Sequence, residues 1–351
     1  MTARPSCRSL PWRRSLALVG VAALGLAALG CGSQTARAAG TSASLTGYTR
    51  LPSGSLPGPT YRWDYQAFDP ATSRLYLADL GQSQVVVFDT RAQRVVGLIK
   101  GVGSVHGIAL APELHLVLAT ATTTNQVVAA DTESLAVVAT IGVGEAPNGI
   151  AYAPSSRMVF VTDGAGMGDT VISATSLRSL GEVRLGLGIG NTIYDPAGRT
   201  IYVSLGNQRQ LVALDPSSHL VHRRYALPGC QWPHGIQIDQ SGRHRAFVAC
   251  AFNNRLEVLD LQSGKVLQTL STGNGPDVVA LDPGLHRLYV ASNSGILAVY
   301  DTSGLRVKEM ALARVGADAH TVGVDTLTHT VYLPLDSSSG SSTLLEFRPD
   351  R

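Results

Sequence analysis

The chain has 351 residues, of which only 15% are charged and 37 are Gly, enough length for a large core and a composition suited to short strands joined by tight turns. Its 28 Lys and Arg include Arg4, Arg8, Arg13 and Arg14, and the other 24 face 25 Asp and Glu. Beyond its first residues the chain is therefore close to neutral, without the basic footprint of a nucleic-acid binder or of a protein held to an anionic membrane surface.

The N-terminus reads as an export signal. Residues 4–14 are basic, residues 16–29 form an apolar run of 14, and small residues follow. That is the order of a secretory signal peptide, and the run is short for a membrane span. The run ends in Ala28-Leu29-Gly30-Cys31-Gly32, which resembles the lipobox of bacterial lipoproteins, although Ala28 stands where that motif usually has Leu. The resemblance implies lipidation of Cys31 and a mature chain beginning there, so that contact with the membrane is through a lipid anchor only. Cleavage after Ala36-Arg37-Ala38, releasing a soluble protein, is the competing reading. Residues 32–44 are rich in Gly, Ser, Ala and Thr and read as a tether. The expected division is a signal peptide over 1–30, a tether over 31–45 and a folded domain over 46–351, in an exported protein of the cell envelope.

From there the chain repeats. Leu75-Tyr76-Leu77, Leu116-Val117-Leu118, Val159-Phe160-Val161, Ile201-Tyr202-Val203, Ala246-Phe247-Val248, Leu288-Tyr289-Val290 and Val331-Tyr332-Leu333 recur with a period near 42 residues. Seven apolar triplets at that spacing predict an all-β, seven-bladed propeller of four-stranded blades. In the second unit the strands are expected over residues 107–110, 116–119, 126–130 and 136–141. Asp89, Asp131, Asp215, Asp260 and Asp301 close the third strands, where a carboxylate accepts downstream backbone N–H groups in an Asx turn. The last unit lacks an outer strand, and Gly47-Tyr48-Thr49-Arg50-Leu51 is an orphan strand at the other end. Pairing the two closes the ring.

Leu288-Tyr289-Val290-Ala291-Ser292-Asn293, Val159-Phe160-Val161-Thr162-Asp163, Val87-Phe88-Asp89-Thr90 and the linking Val102-Gly103, Val143-Gly144 and Gly273-Asn274-Gly275-Pro276 are similar to the YVTN-type forty-residue repeat. That family of bacterial and archaeal envelope propellers resembles this chain over residues 60–348. The resemblance implies the fold; the family hosts several activities. One relative binds single-stranded DNA, and the neutral charge here argues against carrying that over.

One column of the repeat carries candidate chemistry. Before each inner strand stand Asp64, His106, Asn148, Gly190 with Asn191, His234, Asp277 and His320, spaced 42, 42, 42, 44, 43 and 43 residues apart. A propeller gathers such positions around one channel mouth. Three imidazoles with an open position are what a divalent metal ion requires, and the aspartates could ligate or orient them. The bland alternative is turn chemistry, in which His106-Gly107, Asn148-Gly149 and His234-Gly235 sit where left-handed backbone angles are tolerated. Tyr61, Trp63 and Trp232 flank the same mouth, as pocket walls or as packing between blades. His115, His219, His222, His244, His286 and His329 are assigned to outer strands or lower turns. Cys230 and Cys250 fall close enough in blade five for a disulfide, the alternative being free thiols that could serve as softer metal ligands. Gly186-Leu187-Gly188-Ile189-Gly190 opens no helix and is not a phosphate loop. The leading expectation is an exported, non-enzymatic, monomeric propeller binding a small molecule or envelope protein through its upper face. Its rivals are a metal-dependent lyase or hydrolase using His106, His234 and His320, and a scaffold without a pocket.

Overall fold

The computed structural model describes residues 44–337 and 340–350. The signal peptide, Cys31 and nearly all of the tether lie outside the described residues. Leu45, assigned to the tether, is buried against Val278, Val299 and Phe347, so the folded domain reaches back at least to this residue.

Six blades are four consecutive antiparallel strands each: blade 1 over residues 63–100, blade 2 over 105–142, blade 3 over 147–184, blade 4 over 189–226, blade 5 over 233–271 and blade 6 over 276–314. The seventh blade takes Gly323–Asp325, Thr330–Leu335 and Ser342–Pro349 from the end of the chain and its outer strand from the beginning. The two middle strands of a blade are covered on both faces by neighbouring blades. They therefore read as nearly continuous apolar runs, such as Leu116–Ala121, which is buried throughout. Outer strands such as Arg178–Arg184 are mostly exposed and carry no such run. This contrast makes the repeat visible in the sequence.

The core is divided into seven apolar clusters, one at each junction between blades. Tyr76, Val85 and Val87 of blade 1 meet Val105, Val117 and Val128 of blade 2, while Leu75, Leu77 and Phe88 on the opposite face meet Tyr332 and Leu344 of blade 7. A junction between blades 7 and 1 equivalent to the others means that the ring is closed.

Closure comes from the predicted strand and from a second piece that composition hid. Tyr48–Arg50 pairs antiparallel with residues 347–349, and Gly54–Leu56 pairs with residues 342–344 of the same strand. The Ser-Gly-Ser context of the second piece looks like a loop, yet Leu56 is buried with Trp63, Phe88 and Tyr332. Tyr48 is also tied to blade 6, its hydroxyl 2.8 Å from that of Tyr289.

The aspartates ending third strands cap turns as their spacing implied. Asp89 accepts from the backbone N–H of Arg91 and Ala92, and Asp131, Asp215, Asp260 and Asp301 do likewise. A second set, Asp69, Asp195, Asp239, Asp282 and Asp325, does the same after inner strands. His115, His244, His286 and His329 hold left-handed positions in turns of the lower face, as does His219 between the outer strands of blade 4. We predict that Leu56→Ala, which hollows the junction between blades 7 and 1, lowers stability by about 2–5 kcal/mol in urea-monitored unfolding.

Candidate functional site

The seven inner strands surround a central channel, and each of the first six carries one extra residue at the same height. In blade 2, Val105 pairs with Ala121 and Ile108 with Ala119, so His106 and Gly107 bulge opposite the single residue Thr120. The same irregularity sits at Asp64 and Tyr65, Asn148 and Gly149, Gly190 and Asn191, His234 and Gly235, and Asp277 and Val278. A bulge bends its strand and re-aims the side chain it carries, here at the channel mouth. The polar column is thus a column of bulges, and the turn reading needs correction. His106, Asn148 and His234 do not have positive φ. The left-handed residues lie two positions earlier, at Ser104, Ala146, Gly188, Trp232, Gly275 and Asp318.

The glycines after His106 and His234 serve close approach between blades. A Cβ on Gly107 would lie 2.4 Å from the carbonyl oxygen of Asn148, and one on Gly235 would lie 2.0 Å from that of Asp277. Hydroxyls staple one half of the ring. Thr120 accepts from Gly107 N–H and donates to the Asn148 carbonyl, each at 2.8 Å, and Ser204 accepts from Asn191 N–H and donates to the His234 carbonyl at the same distance. Thr162 accepts from Gly149 N–H at 2.7 Å.

The other half is charged. His234 Nδ1 lies 3.0 Å from Asp277 Oδ1 in a bent contact, and Asp277 Oδ2 lies 3.4 Å from a terminal nitrogen of Arg62. Arg62 Nε is 4.0 Å from Asp64 Oδ2, which in turn is 3.7 Å from His106 Nε2. A chain of alternating basic and acidic side chains therefore runs from blade 5 through blades 6 and 1 to blade 2. His320, fully buried, stands beside it in blade 7. Its Nδ1 is 2.9 Å from the Asp318 carbonyl, just as His106 Nδ1 is 2.8 Å from that of Ser104. A carbonyl only accepts, so both rings carry a proton on Nδ1 and turn Nε2 toward their surroundings. Asp336 completes the group, facing Asp318 and accepting from Trp63 N–H at 3.3 Å.

Carboxylates dominate this electrostatic field. Burial lifts the Asp64 carboxyl above its ordinary value, against the pull of His106, and burial next to Asp318 lifts Asp336 to about 6. Asp277 also meets a burial penalty, but His234, His320 and Arg62 outweigh it and hold the carboxyl at about 2. Burial would lower both imidazoles; Asp277 raises His234 in spite of it, and Asp318 with Asp277 raises His320.

Beneath the mouth the channel holds a cavity of about 280 Å³ whose lining includes Ile108, Ile150, Ile236, Val279, Gln66 and Gln237. Tyr65 and Asn191 also face it. Asn191 is otherwise spent on its own neighbour, accepting from Thr192 N–H at 3.3 Å. Buried polar atoms at the mouth and in the channel without a hydrogen-bond partner include Tyr65 Oη, Asn148 Oδ1 and His320 Nε2.

The structure separates the three aromatic candidates. Trp63 is 1% exposed and packs in the junction between blades 7 and 1, so it does not wall the mouth. Trp232 lies over Gly206 and stacks on the exposed Phe252, ring centroids 5.0 Å apart. Tyr61 projects from the upper face and is 65% exposed. Cys230 and Cys250 are joined in a buried disulfide, which leaves neither sulfur free to bind a metal.

A metal ion held by three imidazoles does not fit this arrangement. Arg62 already supplies a cation between the two carboxylates, and among the described residues no three His, Cys, Asp or Glu side chains come together as a set that could hold an ion. The repeat could not point to Arg62, because it precedes the inner strand in a connector that no other blade has. Its one signal is that it is the sole charged residue between Leu51 and Trp63.

No family model matches the chain, and no curated protein sequence does. Among solved structures it is similar to the Kuenenia stuttgartiensis hydrazine synthase, with a TM-score of 0.70 and 16% identity over 82% of this chain and 95% of that one. Likeness at that identity carries the propeller fold alone.

Two outcomes follow from this geometry. Gly235→Ala drives a methyl group into the Asp277 carbonyl, and should cost about 1–3 kcal/mol of unfolding free energy while perturbing the His234 resonances. His234, raised above the ordinary imidazole value of 6.5, stabilises the fold fully below that pH and loses the contribution as pH rises through its folded value. Asp277, depressed to about 2, contributes above 3.8 and loses it as pH falls through about 2. The pair is therefore worth most between about pH 4 and 6.5. NMR titration should place the His234 midpoint above 6.5, and Asp277→Asn should bring it below.

Proposed function

We propose that this protein is an exported propeller of the YVTN type that binds a small ligand at the channel mouth. The observation that carries the reading is the set of unpartnered buried polar atoms, Asn148 Oδ1 and His320 Nε2 at the charged mouth and Tyr65 Oη, whose residue lines the cavity beneath it. Leaving such an atom unpaired costs about 1–3 kcal/mol, and a partner that enters the channel recovers it. Support for export comes from the order of the first residues and from the disulfide, which is at home in an oxidising compartment.

Binding is favoured over catalysis by where the protons go. Thr122 Oγ1 is 2.8 Å from His106 Nδ1, the spacing of a nucleophile and its base. That nitrogen already holds a proton for the Ser104 carbonyl, and Thr122 donates its own to the Pro147 carbonyl at 2.6 Å. The imidazole is thus turned away from activating the hydroxyl. A metal-dependent lyase or hydrolase built on His106, His234 and His320 is the rival reading, and it would require Arg62 to leave the carboxylates.

Histidine-labelled protein should be screened by thermal shift and NMR against small amines, carboxylates and sugars. At least one class is expected to raise the melting temperature and move the His234 and His320 resonances, with the response lost in Asn148→Ala. The reading fails if no class moves those resonances. It also fails if the purified protein carries close to one equivalent of divalent metal that His106→Ala, His234→Ala or His320→Ala removes.

A further inference from the structure

Resting on the binding reading above, we infer that the ligand is a small organic cation, a primary amine or guanidine with a compact apolar body, which takes the place of the Arg62 side chain between Asp64 and Asp277. The two carboxylates come from blades 1 and 6, and Asp64 is only 4% exposed. Between them stands one guanidinium, and it is loosely held. Its separations of 3.4 and 4.0 Å exceed the 2.7–2.9 Å of a charge-assisted hydrogen bond, and it makes no bidentate pair. The Arg62 side chain is 31% exposed. Its backbone, by contrast, is anchored, the carbonyl accepting from Gly81 N–H at 3.4 Å and from Thr60 Oγ1 at 3.3 Å. The side chain can therefore leave by rotation alone.

Charge balance favours a cation over an anion. Asp64, Asp277, Asp318 and Asp336 stand around the mouth, and Arg62 is the one permanently charged base among them. Asp277 beside His234, and Asp318 with Asp277 beside His320, favour the cationic form of both imidazoles against the effect of burial, so these carboxylates already attract positive charge. Below the clamp, Ile108, Ile150, Ile236 and Val279 present an apolar wall to the cavity, with Gln66 and Gln237 at its sides. An ammonium head at the carboxylates with an apolar body in the channel matches both layers.

The test uses methylamine, benzylamine and agmatine as cations, with benzyl alcohol and benzoate as neutral and anionic counterparts of benzylamine, read by calorimetry and by His234 chemical shift. At least one amine is expected to bind, and benzylamine more tightly than benzyl alcohol or benzoate. Arg62→Gln removes the internal competitor and should tighten amine binding about threefold to tenfold. Asp277→Asn should weaken it at least about tenfold, with a melting curve taken on each variant to show that it is folded. The inference is overturned if benzoate binds better than benzylamine, if Arg62→Gln weakens amine binding, or if no amine binds folded Arg62→Gln protein. In the first case, or where a carboxylate or sugar moves the imidazole resonances, binding at the mouth stands and only its cationic character falls.

Discussion

The short ladders that join residues 48–50 and 54–56 to the strand Ser342–Pro349 are the constraint on which the rest depends. A propeller left open between its last and first blades would expose two apolar blade faces, those of Leu75, Leu77 and Phe88 and of Tyr332 and Leu344. Closure buries them together and fixes the diameter of the channel. It has a second consequence. The closing strand must travel from the outer edge of blade 7 to the inner strand of blade 1, and that path crosses the upper face. Arg62 lies at the end of it, two residues before Asp64, where its guanidinium reaches across blade 7 to Asp277. The device that completes the sheet thus also delivers the central cation of the mouth.

The fold was legible because the middle strands of each blade are buried on both faces, so seven similar environments select seven similar triplets. The polar column was legible for the same reason, since each inner strand begins at the same height. Readings failed where the ring departs from its repeat. Gly54–Leu56 pairs like a strand but has loop composition, its one apolar side chain being Leu56. For Trp63 the sequence offered a pocket wall or packing between blades, and alternation along the strand turns it into the junction with blade 7, as the packing reading had it. The left-handed angles were placed two residues too late, because His and Asn tolerate them and the bulge that the register reveals leaves no mark in a single sequence. Asp318 and Asp336 belong to blade 7, whose inner strand is only three residues long, and no counterpart in another blade flagged them.

The ring divides into two halves by what lies opposite each bulge. Blades 2, 3 and 4 place Thr120, Thr162 and Ser204 there, and these hydroxyls satisfy the backbone of their own bulge. In blades 5, 6 and 1 the corresponding residues are Ala249, Ala291 and Ala78, with no hydroxyl to offer. Those are the blades that carry His234, Asp277 and Asp64. Self-contained hydrogen bonding on one side leaves little for a guest to recognise beyond Asn148 and, at its edge, His106. On the other side the polar groups pair only with one another, at long range or in bent geometry.

That asymmetry bears on how a ligand would be read. In a low-dielectric channel, charges whose partners stand at 3.4–4.0 Å, beyond the length of a charge-assisted hydrogen bond, gain from a closer one, whereas saturated hydroxyls gain nothing. Recognition energy is therefore concentrated on the arc from His234 to His106, and the hydroxyl-lined half acts as a rigid wall that holds the arc in register. Rigidity matters here because the carboxylates are paired across blades, so a shift of one inner strand against the next would alter every separation in the chain of charge. The close approach of Gly107 to Asn148 and of Gly235 to Asp277 prevents that shift. Backbone packing between blades, invisible in any one repeat, is what turns a column of polar residues into a site.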